Sequence, residues 1–239
     1  MAQPVVTEWR AESVRFTFFF DEKDRGRFNS NLWNAITGAE PQSTTNVHAT
    51  GVKHDQGMFL GGQLNVATAA TRVDVILSAV FGGLDFPNLG AVDDISAEFG
   101  KLVIAAAADQ LEHASRIAYG IIATRLSTDR NESYSVLDEL LSNVKVSPDS
   151  KEFLYQVNLP RDSHTDKSVM LNRLGRWSAL VMKQVSADDL TSKGSEIHSV
   201  RVELDINTAQ GSSLLNVDKE KLLTELINEG NLMLVNGDK

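Results

Sequence analysis

The chain has 239 residues, 42% hydrophobic and 23% charged, with a formal net charge of −9 and no cysteine. That is enough ordinary globular sequence for a full core, as one large domain or two small ones. It excludes disulfides, thiolate metal sites and cysteine nucleophiles, and it lacks the overall basic footprint of a nucleic-acid binder.

Residues 1–12 read as a loosely held lead-in and not as a secretory signal. The apolar run 16–20 is too short and follows Glu8, Arg10, Glu12 and Arg15. Residues 14–20 are a predicted strand rich in aromatic side chains. Residues 21–27 are a charged break, solvated as turn charges usually are. Residues 28–36 predict a short helix holding Phe28, Leu32, Trp33 and Ile36 inward, and 38–51 are polar and turn-rich. Strands are predicted at 58–66 and 71–80, linked closely enough to pair antiparallel. Gly61 and Gly62 mark a bulge or a close neighbour. A glycine-containing loop, 81–91, holds Asp85 between Leu84 and Phe86.

Residues 93–126 read as one helix of about 34 residues, ~50 Å long at 1.5 Å per residue. Asp94, Glu98, Lys101, Asp109, Glu112 and Arg116 fall on a narrow polar arc. Ile95, Phe99, Val103, Leu111, Ile117, Ile121 and Ile122 lie on an apolar arc of roughly 200°, about twice that of a surface helix. Such an arc implies cover from two sides, by the sheet and by either the second half of the chain or a partner subunit. Gln110 and His113 sit within it, three residues apart on one face. Such a pair binds a ligand or handles a proton, or it is satisfied by neighbouring backbone, as most buried polar groups are. Asp109, Glu112, His113 and Arg116 interrupt the most apolar window, 102–123, so no membrane span is predicted.

Beyond a polar break at 127–132, Ser133 is the expected N-cap of a helix reaching Val144. Strands are predicted at 153–159, 176–185 and 198–207. In the last, Val200, Val202, Leu204 and Ile206 point one way and Arg201, Glu203 and Asp205 the other, the pattern of a half-exposed sheet face. A helix over about 218–229 ends at Gly230 as its C′ glycine, and the tail is loose after Val235.

These elements predict an α+β fold: about six strands in antiparallel sheet or sheets, a long central helix, and two or three shorter helices. The halves rhyme as strand–strand–strand–helix units, 14–20, 58–66, 71–80 and 93–126 against 153–159, 176–185, 198–207 and 218–229. Arg72-Val73-Asp74-Val75 matches Arg201-Val202-Glu203-Leu204, a pattern that chance also produces. The expected division is 1–146, with helices 93–126 and 133–144, and 147–239, both within one compact domain.

No nucleophile motif, phosphate-cradling glycine loop or zinc signature stands in the sequence. His48 and His54 are close enough to share a metal if their loop folds back, but no third ligand accompanies them, so exposed loop histidines are expected. Catalytic residues, metals and cofactors are therefore read as none. The candidate ligand-binding residues are Gln110, His113 and Asp85. Asp85 is the acid with the most unusual surroundings, or it caps the turn before Pro87. Between 161 and 183, Arg161, Lys167, Arg173, Arg176 and Lys183 outnumber Asp162 and Asp166. That stretch is better read as a basic loop facing an acidic neighbour than as a nucleic-acid surface.

Three functions are then ranked. The first is a non-catalytic interaction or assembly protein of the cytoplasm. It would be a homodimer or a subunit of a larger complex, meeting a protein partner or itself through the long helix. The second is an enzyme or small-ligand binder with a site between that helix and the sheet, near Gln110 and His113. The third is a weak nucleic-acid binder acting through 161–183.

Overall fold

The computed structural model describes residues 8–24, 31–80, 86–147, 149–184 and 195–239. In chain order it runs β1 (Arg10–Phe19), a 3-10 turn (Glu22–Asp24), α1 (Leu32–Thr37), β2 (Ser43–Val47), β3 (Val52–Phe59), β4 (Gly62–Ala69), β5 (Arg72–Ser78), α2 (Val92–Ala106), α3 (Ala108–His113) and β6 (Arg116–Ser127). There follow α4 (Arg130–Leu140), β7 (Leu154–Asn158), β8 (Arg161–Asp162), β9 (Met170–Gln184), β10 (Ser195–Thr208) and α5 (Lys219–Asn236). The ten strands form one antiparallel sheet ordered β2-β3-β4-β5-β1-β6-β10-β9-β7, with β8 beside β7 on β9.

The expected α+β fold is therefore overturned. Sheet dominates, about six strands was an undercount, and there is no long central helix. Residues 93–126 divide into α2, α3 and the central strand β6. The strand segment carries β-branched Ile117, Ile121, Ile122 and Thr124, which lose χ1 freedom in a helix and suit a pleated surface. Apolar on all sides, it has no period that separates a buried helix from a buried strand. Its cover is internal. β6 is hydrogen-bonded to β1 on one side and β10 on the other, and Ile117, Tyr119, Ile121 and Ala123 are buried. Ile95, Phe99, Val103, Leu111, Ile117 and Ile121 of the wide arc are thus covered within the chain, and Ile122 lies on the opposite side of the sheet.

Other boundaries move for local reasons. The predicted strand 58–66 spans a hairpin turn, with Leu60 and Gly61 at φ 46° and 74°, the positive values that two-residue hairpins need. The start of β1 lies within the expected lead-in, and the polar run 38–51 supplies β2. The cap of α4 is Asp129, which accepts the Glu132 amide, while the Glu132 carboxylate accepts the Thr128 amide, a reciprocal arrangement that displaces Ser133 from that role. Gly230 lies inside α5, where a Cβ would come 2.7 Å from Tyr119 Cε1. It is a packing glycine, and the helix runs on to Asn236.

In the middle of the sheet, Phe16 of β1 pairs with Tyr119 of β6. Phe16 lies near Gly100 of α2, and Tyr119 against Gly230 of α5. Three residues beyond each, Phe19 pairs with Arg72 of β5 and Ile122 with Glu203 of β10. The strands matched in the expected rhyme hold different places, since 14–20 falls mostly in β1 inside the sheet and 153–159 in β7 at its edge.

The helices lie on the face that carries Phe16 and Tyr119. The ring of Phe99 in α2 meets Phe16 edge-on at 5.6 Å, and Ser96 and Tyr119 share a hydrogen bond of 2.9 Å. A buried ionic cluster fastens α5 to β8 and β9. Glu229, 3% exposed, meets Arg161 at 3.0 Å and Arg173 at 3.1 Å. One turn earlier, Glu225 accepts hydrogen bonds from Ser163 Oγ (2.6 Å) and from the amides of His164 (2.6 Å) and Thr165 (3.0 Å). Two arginines of the basic stretch 161–183 thus face the acids of α5. Among the described residues no helix is long and apolar enough to cross a membrane.

Burial pushes the Glu225 carboxyl up, but these donors outweigh it and bring it from its ordinary 4.5 to about 2. The folded value is the lower one, so the contribution is complete above about pH 4.5 and fades as pH falls towards 2. It amounts to about 3 kcal/mol. Denaturant titrations at several pH values are expected to show Glu225→Gln less stable than wild type at pH 6, with the gap closing near pH 2.5. A gap independent of pH contradicts this assignment.

Candidate functional site

With the helices gathered on one face, the other face of the sheet is open. Cross-strand register sets its side chains in rows. One row runs Ile76, Arg15, Gly120, Asp205 and Leu174. The next runs Ser78, Ser13, Ile122, Glu203, Arg176 and Gln156. Apart from Ser78, these two rows line a depression of about 400 Å³ near the middle of the sheet.

Gly120 makes room for it. A Cβ there would stand 3.2 Å from Arg15 Nη2, because the Arg15 guanidinium lies across the glycine. Arg15 Nη2 donates to Asp205 Oδ2 at 2.6 Å, and Asn207 Nδ2 donates to Asp205 Oδ1 at 2.7 Å. Alongside, Arg201 Nε donates to Glu12 at 3.1 Å and Arg201 Nη1 donates to Glu203; Thr124 Oγ1 also donates to Glu12. Arg176 stands 3.8 Å from Glu203. Further along, Phe19 lies between the guanidiniums of Arg72 (5.2 Å) and Arg116 (4.9 Å), cation–π distances. Asp74 accepts from Thr17 Oγ1 at 2.6 Å and from Arg72 Nε at 2.7 Å.

Among the described strand residues, the cations of this face thus include Arg10, Arg15, Arg72, Arg116, Arg176 and Arg201. No lysine lies on it among the described strand residues, although the chain has 11 lysines and 12 arginines. Lys53 turns to the other face, where it pairs with buried Asp55 at 2.7 Å.

The residues singled out from sequence lie elsewhere. Gln110 is fully buried on α3, whereas His113, at the end of that helix, is half-buried. His113 lines a separate cavity of about 560 Å³ together with Arg116, Ser213 and Lys219. Gln110 is not among its walls, so the structure does not bring the two around one space. Lys219 Nζ donates to the Glu112 carbonyl at 2.7 Å, and burial lowers the pKa of its ammonium. Asp85 lies outside the described residues. His48 is exposed in the β2–β3 turn, while His54 Nδ1 hydrogen-bonds Asn65 Oδ1 at 3.3 Å on the open face.

Sequence reasoning missed Arg15 and Gly120, and placed Arg176 only in the basic stretch 161–183. The alternation at 198–207 did signal the half-exposed side of β10, which supplies Arg201, Glu203 and Asp205. Comparison with family models, with curated proteins and with solved structures finds no match for this chain.

Proposed function

We propose that this is a non-catalytic interaction protein of the cytoplasm that receives a protein partner on the open face of its sheet. One observation carries the reading: arginine–carboxylate pairs alternate with Ile76, Ile122 and Leu174 around a central depression, without lysine among the described residues. Arginine offers a planar, weakly hydrated fork, and it is enriched at protein interfaces where lysine is depleted. Side chains already held by their pairs lose less freedom on association. The lack of cysteine fits a reducing compartment. Self-association through a long helix is not part of this reading, because the residues assigned to that helix are divided among α2, α3 and β6.

The test uses Ile122→Glu, which sets an extra carboxylate in the depression, and Leu232→Glu, an equal change at an exposed site on α5. Tagged protein is recovered from its host cells, and both variants are checked for folding by circular dichroism. A stoichiometric partner retained by Leu232→Glu and lost by Ile122→Glu is expected. A partner retained by Ile122→Glu and lost by Leu232→Glu contradicts the assignment of the face.

A further inference from the structure

We infer that the depression over Gly120 is the anchor of this face, and that it takes a single carboxylate side chain, Asp or Glu, from an otherwise apolar segment of the partner. The inference rests on reading the open face as the binding surface. It comes from an accounting of donors and acceptors.

A guanidinium has five N–H donors. In Arg15, Nη2 meets Asp205, while Nε is buried without an acceptor. Leaving a buried donor unmade is costly. Among the described residues Arg176, in the adjoining row, comes no closer to a carboxylate than 3.8 Å, and its side chain is 46% exposed. The acids beside them are occupied: Asp205 holds Arg15 and Asn207, and Glu203 holds Arg201. The depression therefore has donors in surplus, those of Arg176 open to solvent, and a ligand that supplies acceptors complements it.

A carboxylate matches the planar fork with two parallel hydrogen bonds. A doubly charged phosphate would meet stronger repulsion from Asp205 and Glu203. A run of acids would also be opposed by the net charge of −9. One carboxylate escorted by apolar side chains fits both constraints, with Ile76, Ile122 and Leu174 as its apolar surroundings.

The probes are acetyl-Leu-Glu-Leu-amide and its glutamine counterpart, titrated into the full chain while the arginine Nε–H signals are followed by ¹⁵N NMR. Arg15→Gln and Arg176→Gln assign the two signals and serve as variants. The glutamate peptide is expected to shift both signals saturably. Binding should weaken by about tenfold for the glutamine peptide and for either variant. Equal binding of the two peptides, read from the Ile122 methyl signals, overturns the carboxylate preference and leaves the face assignment standing. No shift with either peptide up to about 20 mM, where only millimolar affinity is asked for, overturns the anchor. The Ile122→Glu capture then judges the face independently.

Discussion

Glu229→Ala is expected to lower the unfolding free energy by about 3–5 kcal/mol, the usual cost of removing one partner from a buried ion pair. Glu229 is 3% exposed, and its two oxygens hold Arg161 and Arg173, whose side chains are 25% and 14% exposed. The substitution leaves two largely covered cations facing each other, with Glu225, 3.9 Å from Arg161, as the remaining anion. Burial already lowers the pKa of the Arg173 guanidinium, and Arg161 adds to this, while Glu229 is the group that opposes it. Urea unfolding measures the loss. In a chain of this length it corresponds to a fall in Tm of roughly 10 °C. The same principle predicts that replacing all three residues with methionine recovers most of the stability, because Glu225 keeps its hydrogen bonds from Ser163, His164 and Thr165 and no buried cation is left unpaired. A loss below about 1 kcal/mol for Glu229→Ala would place the cluster among solvent-screened surface pairs.

Gly237→Val is the second large effect, at about 3 kcal/mol from strain and lost capping together. Gly237 has φ 69°, and a Cβ there would lie 1.8 Å from the Leu140 carbonyl oxygen at the end of α4. Backbone cannot step aside as a flexible side chain can. The next residue, Asp238, is buried and caps α4: its carboxylate accepts the amides of Ser142 at 2.6 Å and Asn143 at 3.3 Å. Moving Gly237 pulls that cap away. Gly38 is the comparison, with φ 71° and nothing within 4 Å of its Cβ position, so Gly38→Val is expected to cost only the strain, about 1 kcal/mol. Thermal unfolding of the two variants side by side is the check. Equal losses would mean that the contact with Leu140 contributes nothing.

What the sequence made legible follows from how charge is distributed on each strand. In β10, Arg201, Glu203 and Asp205 face outward against Val200, Val202 and Leu204, so the period of two is plain. In the middle of β6 the open-face positions are Ala118, Gly120 and Ile122, small or apolar, and the period vanishes. The helices α2 and α3 run directly into that segment, and their charged arc extends by accident to Arg116. Leu60-Gly61 forms a hairpin turn without the Asn-Gly signal that announces one. Gly230 resembles a helix stop because a packing glycine and a capping glycine look alike until Tyr119 is placed beside it. The candidate site was hidden for a related reason. Arg15 and Asp205 are 190 residues apart in the chain, and only the register of β1, β6 and β10 brings them together over Gly120.

The most direct measurement of the central claim is side-chain footprinting by hydroxyl radicals, on the free protein and on its complex with the recovered partner. Protection of Ile122, Leu174 and Leu180 on the open face, with Leu232 and Val235 of α5 unchanged, is the predicted result. Protection of Leu232 and Val235 with the open face still fully reactive would contradict it and move the interaction surface to the helical side.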